Sequence, residues 1–455
     1  MALAKAHDPS EIVIDSVTIS SDRLGTQQYD VTMNVIEINI FESLDELPLN
    51  ANISLLDDNA ILESIDFQGE ENVHITCRYP DGLEETWTRH FICTAVNSVK
   101  DGTNEQSQVF TLQLVDKSGY RNMLTNVNRK YDGNPRQIIS QVLAENFRGK
   151  QLFTNDNVFQ GSMRVIVPNW TPYQTMKWVR NRTTSPSGAP FYCYSVHADE
   201  HVRFFDLETM LSQSQMGDDY YYSEHYAQGG ASLSNIRQSH IIKGIHIPKQ
   251  EDMQVQIRDG NVGAQYGFLD TQNFYDNSFK FDITRVFLSM LKRTKIVTER
   301  KTPVFDARFT VDDRTLQSYS SRNFTNIGTT SMYNDIPGYY EDVSPEHHST
   351  KAIAKALRKF LFKTRMTVAV SGRNFFMPGE NLTTSIGSVI NLNFLDKEPI
   401  VSAQDIAEHT DFKRSGKYLI YNARYIIKKD GVGTKVDAIL ELVKLSNTEG
   451  TARIT

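Results

Sequence analysis

The chain of 455 residues has an ordinary globular composition, with 39% hydrophobic residues, 23% charged residues and a formal net charge of −7. A chain of this length is too long to form a single hydrophobic core, so roughly two to four domains are expected. No long run of Lys and Arg occurs, which argues against tight binding to nucleic-acid phosphates, because such binding needs clustered positive charge. The negative net charge is still compatible with a protein that lines a channel through which DNA passes without binding.

The three cysteines, Cys77, Cys93 and Cys193, are odd in number and far apart, so they match neither a disulfide framework nor a metal site. Cys77 and Cys93 lie in strand-like runs and are interpreted as small buried apolar residues. The N-terminal residues lack the apolar core of a signal peptide, and no stretch has the apolar length needed to span a bilayer. We therefore expect a protein that is made in the cytoplasm and has no membrane segment.

Residues 11–115 alternate between apolar and polar side chains, which is typical of strands in an antiparallel β-barrel. A one-residue slip in the alternation at Val35 and Ile36 predicts a β-bulge. The sequence Tyr-Pro-Asp-Gly at 79–82 predicts a hairpin turn. Strands are predicted at 11–19, 29–41, 52–56, 72–77, 86–93 and 108–115.

The next part of the chain has helical periodicity. Residues 135–147 carry an apolar stripe with Pro135 at its start, which predicts a helix. A second helix is predicted from Thr171, a suitable N-cap followed by a proline, to about residue 183. Residues 189–196 and 201–205 then predict a hairpin.

Residues 208 to about 365 are polar and rich in tyrosine, with one clear helix predicted over 350–362. Strand patterns return at 365–370, 388–394, 417–427 and 434–443, with a turn at Pro378–Gly379. The prediction is a β-rich α+β fold in which two antiparallel, tube-like β-barrels flank a small mixed α/β domain, with an insertion in the second barrel. The predicted boundaries are 1–118 for the first barrel, 119–207 for the mixed helix-hairpin domain, 208–365 for an irregular insertion plus the start of the second barrel, and 366–455 for the C-terminal part of the second barrel.

Two glycine-containing strings superficially match nucleotide-binding loops. Ser415-Gly-Lys417 lacks the spacing of a phosphate-binding loop and precedes a strand, so it is interpreted as a turn. Gly260 to Gly267 neither follows a strand nor opens a helix, so it does not meet the requirements of a dinucleotide site.

Histidines occur in two short strings. His197 and His201 belong to the string His-Ala-Asp-Glu-His, in which Ala198 stands where a zinc protease has its glutamate. The string joins two strand-like runs and is predicted to be a solvated hairpin loop. His347 and His348 are adjacent, so their side chains point apart and a joint ligand role is not expected.

Acidic pairs and tryptophans are the remaining candidates for chemistry. Glycoside hydrolysis needs two carboxylates across a cleft, whereas neighbours in sequence are usually turn residues. The pairs are Asp57-Asp58, Asp218-Asp219 and Asp312-Asp313. Trp87, Trp170 and Trp178 could form a sugar platform, although the last two are more typical of core anchors. We predict no enzyme activity, no catalytic residue, no cofactor and no metal ligand, and we leave the protein-interface residues unassigned.

Three blocks of sequence resemble the baseplate or tail-hub family of contractile-tailed bacteriophages, which is related to the hub module of type VI secretion spike proteins. The first block is Ile40–Ser43, Asn52–Asp58 and Phe67–Ile75, similar to an opening barrel. The second is Asn169–Tyr173, Trp178–Arg180, Gly188–Tyr192 and Phe204–Leu207, similar to the middle domain of a hub. The third is Phe376–Gly379, Gly387–Ile390, Asp411, Ser415–Ile420 and Leu440–Val443, similar to a closing barrel. Residues 210–365 depart from the family pattern.

The resemblance implies a structural subunit. In such hubs each chain supplies two similar barrels, so a homotrimer presents six quasi-equivalent units and joins the sixfold tail tube to the threefold central spike. The implied partners are the spike and the tube, with the tape-measure and baseplate wedge proteins as further candidates, and DNA passes non-specifically through the lumen. The spike is expected to be a separate polypeptide, and the protein is expected in the virion baseplate after synthesis in the host cytoplasm. A hub of a non-phage contractile injection system and a carbohydrate-active β-domain enzyme stay open as alternatives.

Overall fold

The computed structural model describes residues 10–25, 27–58, 60–80, 86–101, 108–155, 159, 162–222, 238–248, 253–270, 275–283, 301–303, 310–328, 345–362, 364–376, 385–395, 410–411, 414–431, 433–444 and 446–448. The strands are β1 (Glu11–Ser20), β2 (Gln28–Asp30), β3 (Val35–Ser43), β4 (Asn50–Asp57), β5 (Asn72–Arg78), β6 (Thr86–Asp101), β7 (Gln108–Asp116), β8 (Lys130–Gly133), β9 (Leu152–Phe153), β10 (Met163–Ile166), β11 (Phe191–Ser195), β12 (Val202–Asp206), β13 (Tyr220–Tyr222), β14 (Gly244–His246), β15 (Gly263–Asp270), β16 (Tyr275–Asp282), β17 (Lys301–Pro303), β18 (Thr310–Val311), β19 (Arg314–Thr315), β20 (Asn323–Gly328), β21 (Thr364–Ser371), β22 (Val389–Phe394), β23 (Gly416–Asp430), β24 (Gly433–Lys444) and β25 (Ser446–Thr448). The α-helices are α1 (Ile61–Ile65), α2 (Lys117–Leu124), α3 (Pro135–Asn146), α4 (Pro172–Arg182), α5 (Leu207–Leu211), α6 (Met253–Arg258), α7 (Pro345–Leu361) and α8 (Arg373–Phe376).

Eight antiparallel strands pair in a closed series, which we call the first ring. Its order is β1, β5, β6, β7, β4, β3, β23 and β24, and β24 returns to β1. A closed series leaves no unpaired strand edge, which protects a sheet from pairing with other chains. Two of the eight strands come from the C-terminal part of the chain, so the first ring is not built from N-terminal residues alone.

The β23–β24 hairpin also belongs to a second group of strands. Residues 422–428 of β23 pair with β3, whereas residues 416–419 pair with β22. Residues 434–435 of β24 pair with β1, whereas residues 437–444 pair with β21. The second group contains β13, β22, β23, β24, β21 and β14, and a bridge between Tyr221 and Ile241 links its two outer segments. The hairpin is therefore shared, and all these strands form one hydrogen-bonded sheet.

The hydrophobic core follows this shared sheet. Buried side chains of both strand groups pack in one cluster, from Ile12 and Leu112 in the first ring to Leu392 in β22. A separate cluster fills the middle domain between α3, α4 and the β11–β12 hairpin. The β-rich α+β class is confirmed, while the two-barrel arrangement and the domain boundaries stay predictions.

The middle-domain helices begin where the sequence predicts. Asn134 and Thr171 are N-caps of α3 and α4, each with a proline after it and a reciprocal capping box to a glutamine. In α3 the Asn134 Oδ1 accepts from Gln137 N at 2.9 Å, and Gln137 Oε1 accepts from Asn134 N at 3.0 Å. Helix donors that lack an intrahelical partner are satisfied in this way.

Replacing Asn134 with alanine is expected to lower the free energy of unfolding by about 1 kcal/mol, because the cap acceptor is lost. Urea denaturation measures the change. The matched control is Gln141→Ala on an exposed position of the same helix, which should change the free energy by less than about 0.5 kcal/mol. Equal effects for the two variants would contradict the role of the cap.

Residues of the predicted insertion form a further small core. β15 pairs antiparallel with β16 and parallel with β20, and Ala352, Ala356 and Phe360 of α7 pack against this sheet. β13 and β14 lie in the large sheet instead. The described part of this segment is therefore divided between the shared sheet and a satellite unit.

The predicted strand over residues 29–41 is wrong in one respect. A 3-10 turn at Thr32–Asn34 interrupts it, and Met33 is 88% exposed. Lys429 Nζ donates to the carbonyls of Thr32 and Met33, both at 2.9 Å, which stabilises the turn. The predicted bulge is confirmed as a register shift between Val35 and Glu37.

The other predicted strands and helices are confirmed where the structure describes them. The β5–β6 hairpin is confirmed by pairing up to Arg78 and Thr86, while residues 81–85 lie outside the described residues. The predicted turn at Pro378–Gly379 also lies outside them. Within the described ranges, no helix is long and apolar enough to cross a membrane.

Candidate functional site

A carboxylate faces the interior of the first ring. Along β3, Ile38, Ile40 and Glu42 share the inward face because side chains alternate along a strand. The Glu42 side chain is fully shielded from solvent. A buried carboxylate is costly unless it is paired and hydrogen-bonded, so its partners define the site.

The partner of Glu42 is His197, from the loop between β11 and β12. The His197 ring is also fully buried, with Nδ1 2.7 Å from Glu42 Oε1 and Nε2 2.7 Å from the carbonyl oxygen of Phe376. The His197 backbone N–H donates to the same Glu42 oxygen. Both ring nitrogens face oxygen atoms, and with Glu42 ionised the ring donates from both, as the imidazolium form does.

The second oxygen of Glu42 is also satisfied. Ser385 Oγ donates to Glu42 Oε2 and lies against the hydroxyl of Tyr425, which is 3.3 Å from the same carboxylate oxygen. Burial raises the pKa of Glu42, but the charge of His197 and the hydrogen bonds from His197 and Ser385 outweigh it, so the net pKa is lowered. Burial raises the pKa of Tyr425 well above its usual value, so this group stays a neutral phenol.

The backbone of His197 is held from the first ring. Its carbonyl oxygen accepts from Trp87 Nε1 at 3.0 Å and from Arg89 Nε at 2.5 Å. Trp87 and Arg89 are alternate inward residues of β6, and the Trp87 ring packs against Phe376 at 4.7 Å between centroids. We call Glu42, His197, Ser385, Tyr425, Trp87 and Arg89 the Glu42–His197 cluster.

The Glu42–His197 cluster joins three parts of the chain. Glu42, Trp87, Arg89 and Tyr425 come from strands of the first ring, His197 comes from the middle domain, and Ser385 comes from the segment that precedes β22. Since the charged pair is shielded from solvent, a substrate cannot contact it in this conformation. Its geometry is suited to fixing the orientation of three segments.

A second junction ties the middle domain to the same sheet. Arg180 of α4 donates to the carbonyl oxygen of Asp45 at 3.1 Å, and Tyr421 of β23 donates to Asp45 Oδ2 at 2.6 Å. Arg358 of α7 donates to the carbonyl oxygen of Phe191 at 2.9 Å. Burial lowers the pKa of Arg358, although neighbouring Tyr and Asp groups oppose this.

The histidine string is the clearest correction to the sequence prediction. The string does join β11 and β12, but His197 is fully buried rather than solvated. His201 points elsewhere, packs its ring on Phe153 at 4.8 Å and lies 3.4 Å from the backbone N of Gln151. His347 and His348 lie in the first turn of α7, and their side chains lie outside the described residues.

The acidic pairs have local structural roles. Asp57 caps α1 by accepting from the N–H groups of Ile61 and Leu62 at 2.7 and 3.0 Å. Asp219 accepts from Asn393 at 3.0 Å. Asp312 and Asp313 both have positive φ and make the turn between β18 and β19, as predicted for turn residues.

The remaining predicted residues also have structural positions. Trp170 and Trp178 pack 6.2 Å apart beside the middle-domain core, and all three cysteines are buried free thiols. Ser415–Lys417 leads into β23, and Gly260 follows α6 and precedes β15, so neither is a nucleotide loop. In the part of the chain that the structure describes, no three His, Cys, Asp or Glu side chains are grouped so as to hold a metal ion.

Comparison with solved structures identifies the fold. The 43 kDa tail protein of prophage MuSo2 from Shewanella oneidensis aligns with a TM-score of 0.50 and 10% identity, over 94% of this chain and 98% of that one. The tail protein from Neisseria meningitidis MC58 aligns with a TM-score of 0.50 and 11% identity, over 94% and 96%. No family model and no curated protein sequence matches the chain. The chain thus has the fold of phage tail proteins, which confirms the resemblance at the level of the fold.

Proposed function

We propose that the chain is a structural hub subunit of a contractile phage baseplate and that it assembles as a homotrimer. The observation that carries the proposal is the end-to-end likeness of the fold to two phage tail proteins, over 94% of this chain. The buried Glu42–His197 cluster supports a structural role, because its charged pair stabilises a junction between segments and is closed to substrate.

The shared sheet suggests how one chain could supply two units of a ring. The first ring and the second strand group have the β23–β24 hairpin in common, so backbone hydrogen bonds run continuously from one group to the other. Three copies would present six such units, a pseudo-sixfold ring that matches a sixfold tube on one side and a threefold spike on the other. The proposed partners are the tube, the spike and the tape-measure and wedge proteins, with DNA passing through the lumen of a virion assembled in the host cytoplasm.

The non-phage alternative differs only in the machine that contains the hub. A hub of another contractile injection system would have the same local structure, and neighbouring genes distinguish the two. The carbohydrate-active alternative gains no support from the acidic pairs, because Asp57, Asp219 and the Asp312–Asp313 turn serve caps, hydrogen bonds and turns.

The trimer is a testable expectation. Native mass spectrometry of the full chain should give three times the mass of one chain, because a symmetric ring requires large repeated interfaces of the kind that persist in dilute solution. Negative-stain images should show a ring with a central opening. A stable monomer at all concentrations that also forms no ring with a tube or spike protein would contradict the proposal.

A further inference from the structure

Two histidines face each other across the β5–β6 hairpin, on the outward side of the first ring. They are His74 of β5 and His90 of β6, which are direct partners in the strand register. The centroids of their imidazole rings are 4.1 Å apart, and the ring planes are nearly perpendicular, at 84°. His90 is exposed and His74 is partly exposed, so solvent has access to both residues.

The register explains why the two rings lie so close. The N–H of Cys93 donates to the carbonyl oxygen of Glu71 at 2.8 Å, and the pairing continues from there without a bulge to His74 and His90. Hydrogen-bonded and non-hydrogen-bonded pairs alternate along antiparallel strands, so His74 and His90 form a non-hydrogen-bonded pair, the kind with the closer side chains. The next pair of this kind on the same face is Thr76 and Thr88, whose hydroxyl oxygens are 3.2 Å apart.

The lone pairs of the two rings are available to a ligand. Among the described residues, the ring nitrogens of His74 and His90 have no hydrogen-bond partner. Burial and the nearby His90 lower the pKa of His74, which favours the neutral imidazole, the form that binds a metal ion. Rotation of a histidine ring about its second side-chain bond is soft, so a nitrogen of each ring can turn toward one ion.

The surroundings of the pair do not repel a cation. Both histidines line a cleft of about 400 Å³, whose fixed charges are matched in number. The cationic side chains are Arg89, Lys117 and Lys150, and the carboxylates are Asp116, Asp199 and Glu200. Imidazole is a ligand for zinc, copper and nickel, whereas magnesium and calcium prefer oxygen atoms. The pair therefore favours a transition-metal ion.

We propose that His74 and His90 together bind a divalent transition-metal ion of the zinc class, each through one ring nitrogen, with water completing the coordination shell. The ion cross-links β5 and β6 and stabilises the folded chain, because folding brings the two ligands together. The proposal is independent of the hub role. It departs from the sequence-based expectation of no metal ligand, because only the strand register brings the two histidines together.

The test measures Zn²⁺ binding to the full-length, untagged chain. Calorimetry at a pH of about 7.5, where imidazole is mostly neutral, should show saturable binding of Zn²⁺, and Mg²⁺ should not bind at this site. His74→Thr and His90→Thr should each weaken Zn²⁺ binding by about tenfold or more, since even the loss of a partner behind a ligand costs about this much. Threonine suits a strand surface and is the residue of the neighbouring pair, so both variants should fold.

A matched control and a second readout locate the ion. His246→Thr replaces an exposed histidine of β14 that pairs with Thr367, and it should leave the affinity unchanged. Zn²⁺ should also protect His74 and His90 from acylation by diethyl pyrocarbonate, as read by peptide mass spectrometry. Absence of saturable binding, unchanged affinity in the His74→Thr and His90→Thr variants, or protection of other histidines alone would overturn the proposal.

Discussion

Replacing Glu42 with alanine is expected to lower the free energy of unfolding by about 3–5 kcal/mol, because it leaves the buried imidazolium of His197 without its counter-charge. Chemical denaturation of the full chain measures this change. The matched control is Glu37→Ala, which lies on the outward face of the same strand and takes part in a surface pair with Arg424 at 3.8 Å. That variant should lose no more than about 1 kcal/mol.

The double variant distinguishes a true pair from two separate contributions. Glu42→Ala with His197→Ala should cost clearly less than the sum of the two single changes, because the second change removes the charge that the first left uncompensated. The pair is disproved as the source of stability if the costs are additive or if Glu42→Ala costs no more than Glu37→Ala.

The Glu42–His197 pair also makes the free energy of unfolding depend on pH under acidic conditions. The lowered pKa of Glu42 sets the direction of this dependence. The pKa of Glu42 is lower in the folded state than in the unfolded chain, so its stabilisation is fully present above the unfolded pKa of about 4.3. This contribution is lost as the pH falls through the lowered folded pKa. Below about pH 4, the free energy of unfolding should therefore change less steeply with pH in the Glu42→Ala variant than in the parent chain.

Local patterns predicted most of the elements. Alternation located β1, β4, β5, β7 and the C-terminal strands. The apolar stripe that begins at Pro135 located α3, and the Thr171 cap located α4. α2 was missed because Gly119 lies in its first turn and the helix has only eight residues. The turn at Thr32–Asn34 was missed because the residues around it keep an alternating pattern.

The candidate site was missed because its parts are far apart in sequence. His197 lies in a polar string that reads as a solvated loop, and its partner Glu42 is 155 residues away. One signal was available. Glu42 follows Ile38 and Ile40 on the inward face of β3, and Arg89 lies between Trp87 and Phe91 on the inward face of β6. A charged residue at an inward position requires a buried partner, and that requirement predicts a polar cluster without identifying its other members.

No local sequence pattern predicts that two strand groups share one hairpin. The pairing of β23 with β3 joins residues almost 400 positions apart, such as Lys428 with Glu37. β23 and β24 are 15 and 12 residues long, but strand length does not identify the sharing, because β6 has 16 residues and belongs to the first ring alone. A strand that long can serve two neighbours along one edge, as β23 does with β22 and β3.

This sharing leads to the last prediction, which concerns cooperativity. Leu112→Ala in β7 removes a buried side chain from the first ring only, and Leu392→Ala in β22 removes one from the second strand group only. Each change should lower the free energy of unfolding by about 2–5 kcal/mol. Because β23 and β24 belong to both groups and the core is continuous, both changes should shift the same calorimetric transition.

Hydrogen exchange on the two variants locates the effect. Loss of protection should extend to strands of both groups in either variant, since a shared hairpin cannot remain paired on one side while the other unfolds. Leu124→Ala, at a position 74% exposed in α2, is the matched control and should change stability by less than about 0.5 kcal/mol. Two separate transitions, each shifted by only one of the core substitutions, would show that the groups fold independently. A hub would then lack a continuous hydrogen-bonded link between its two ring units.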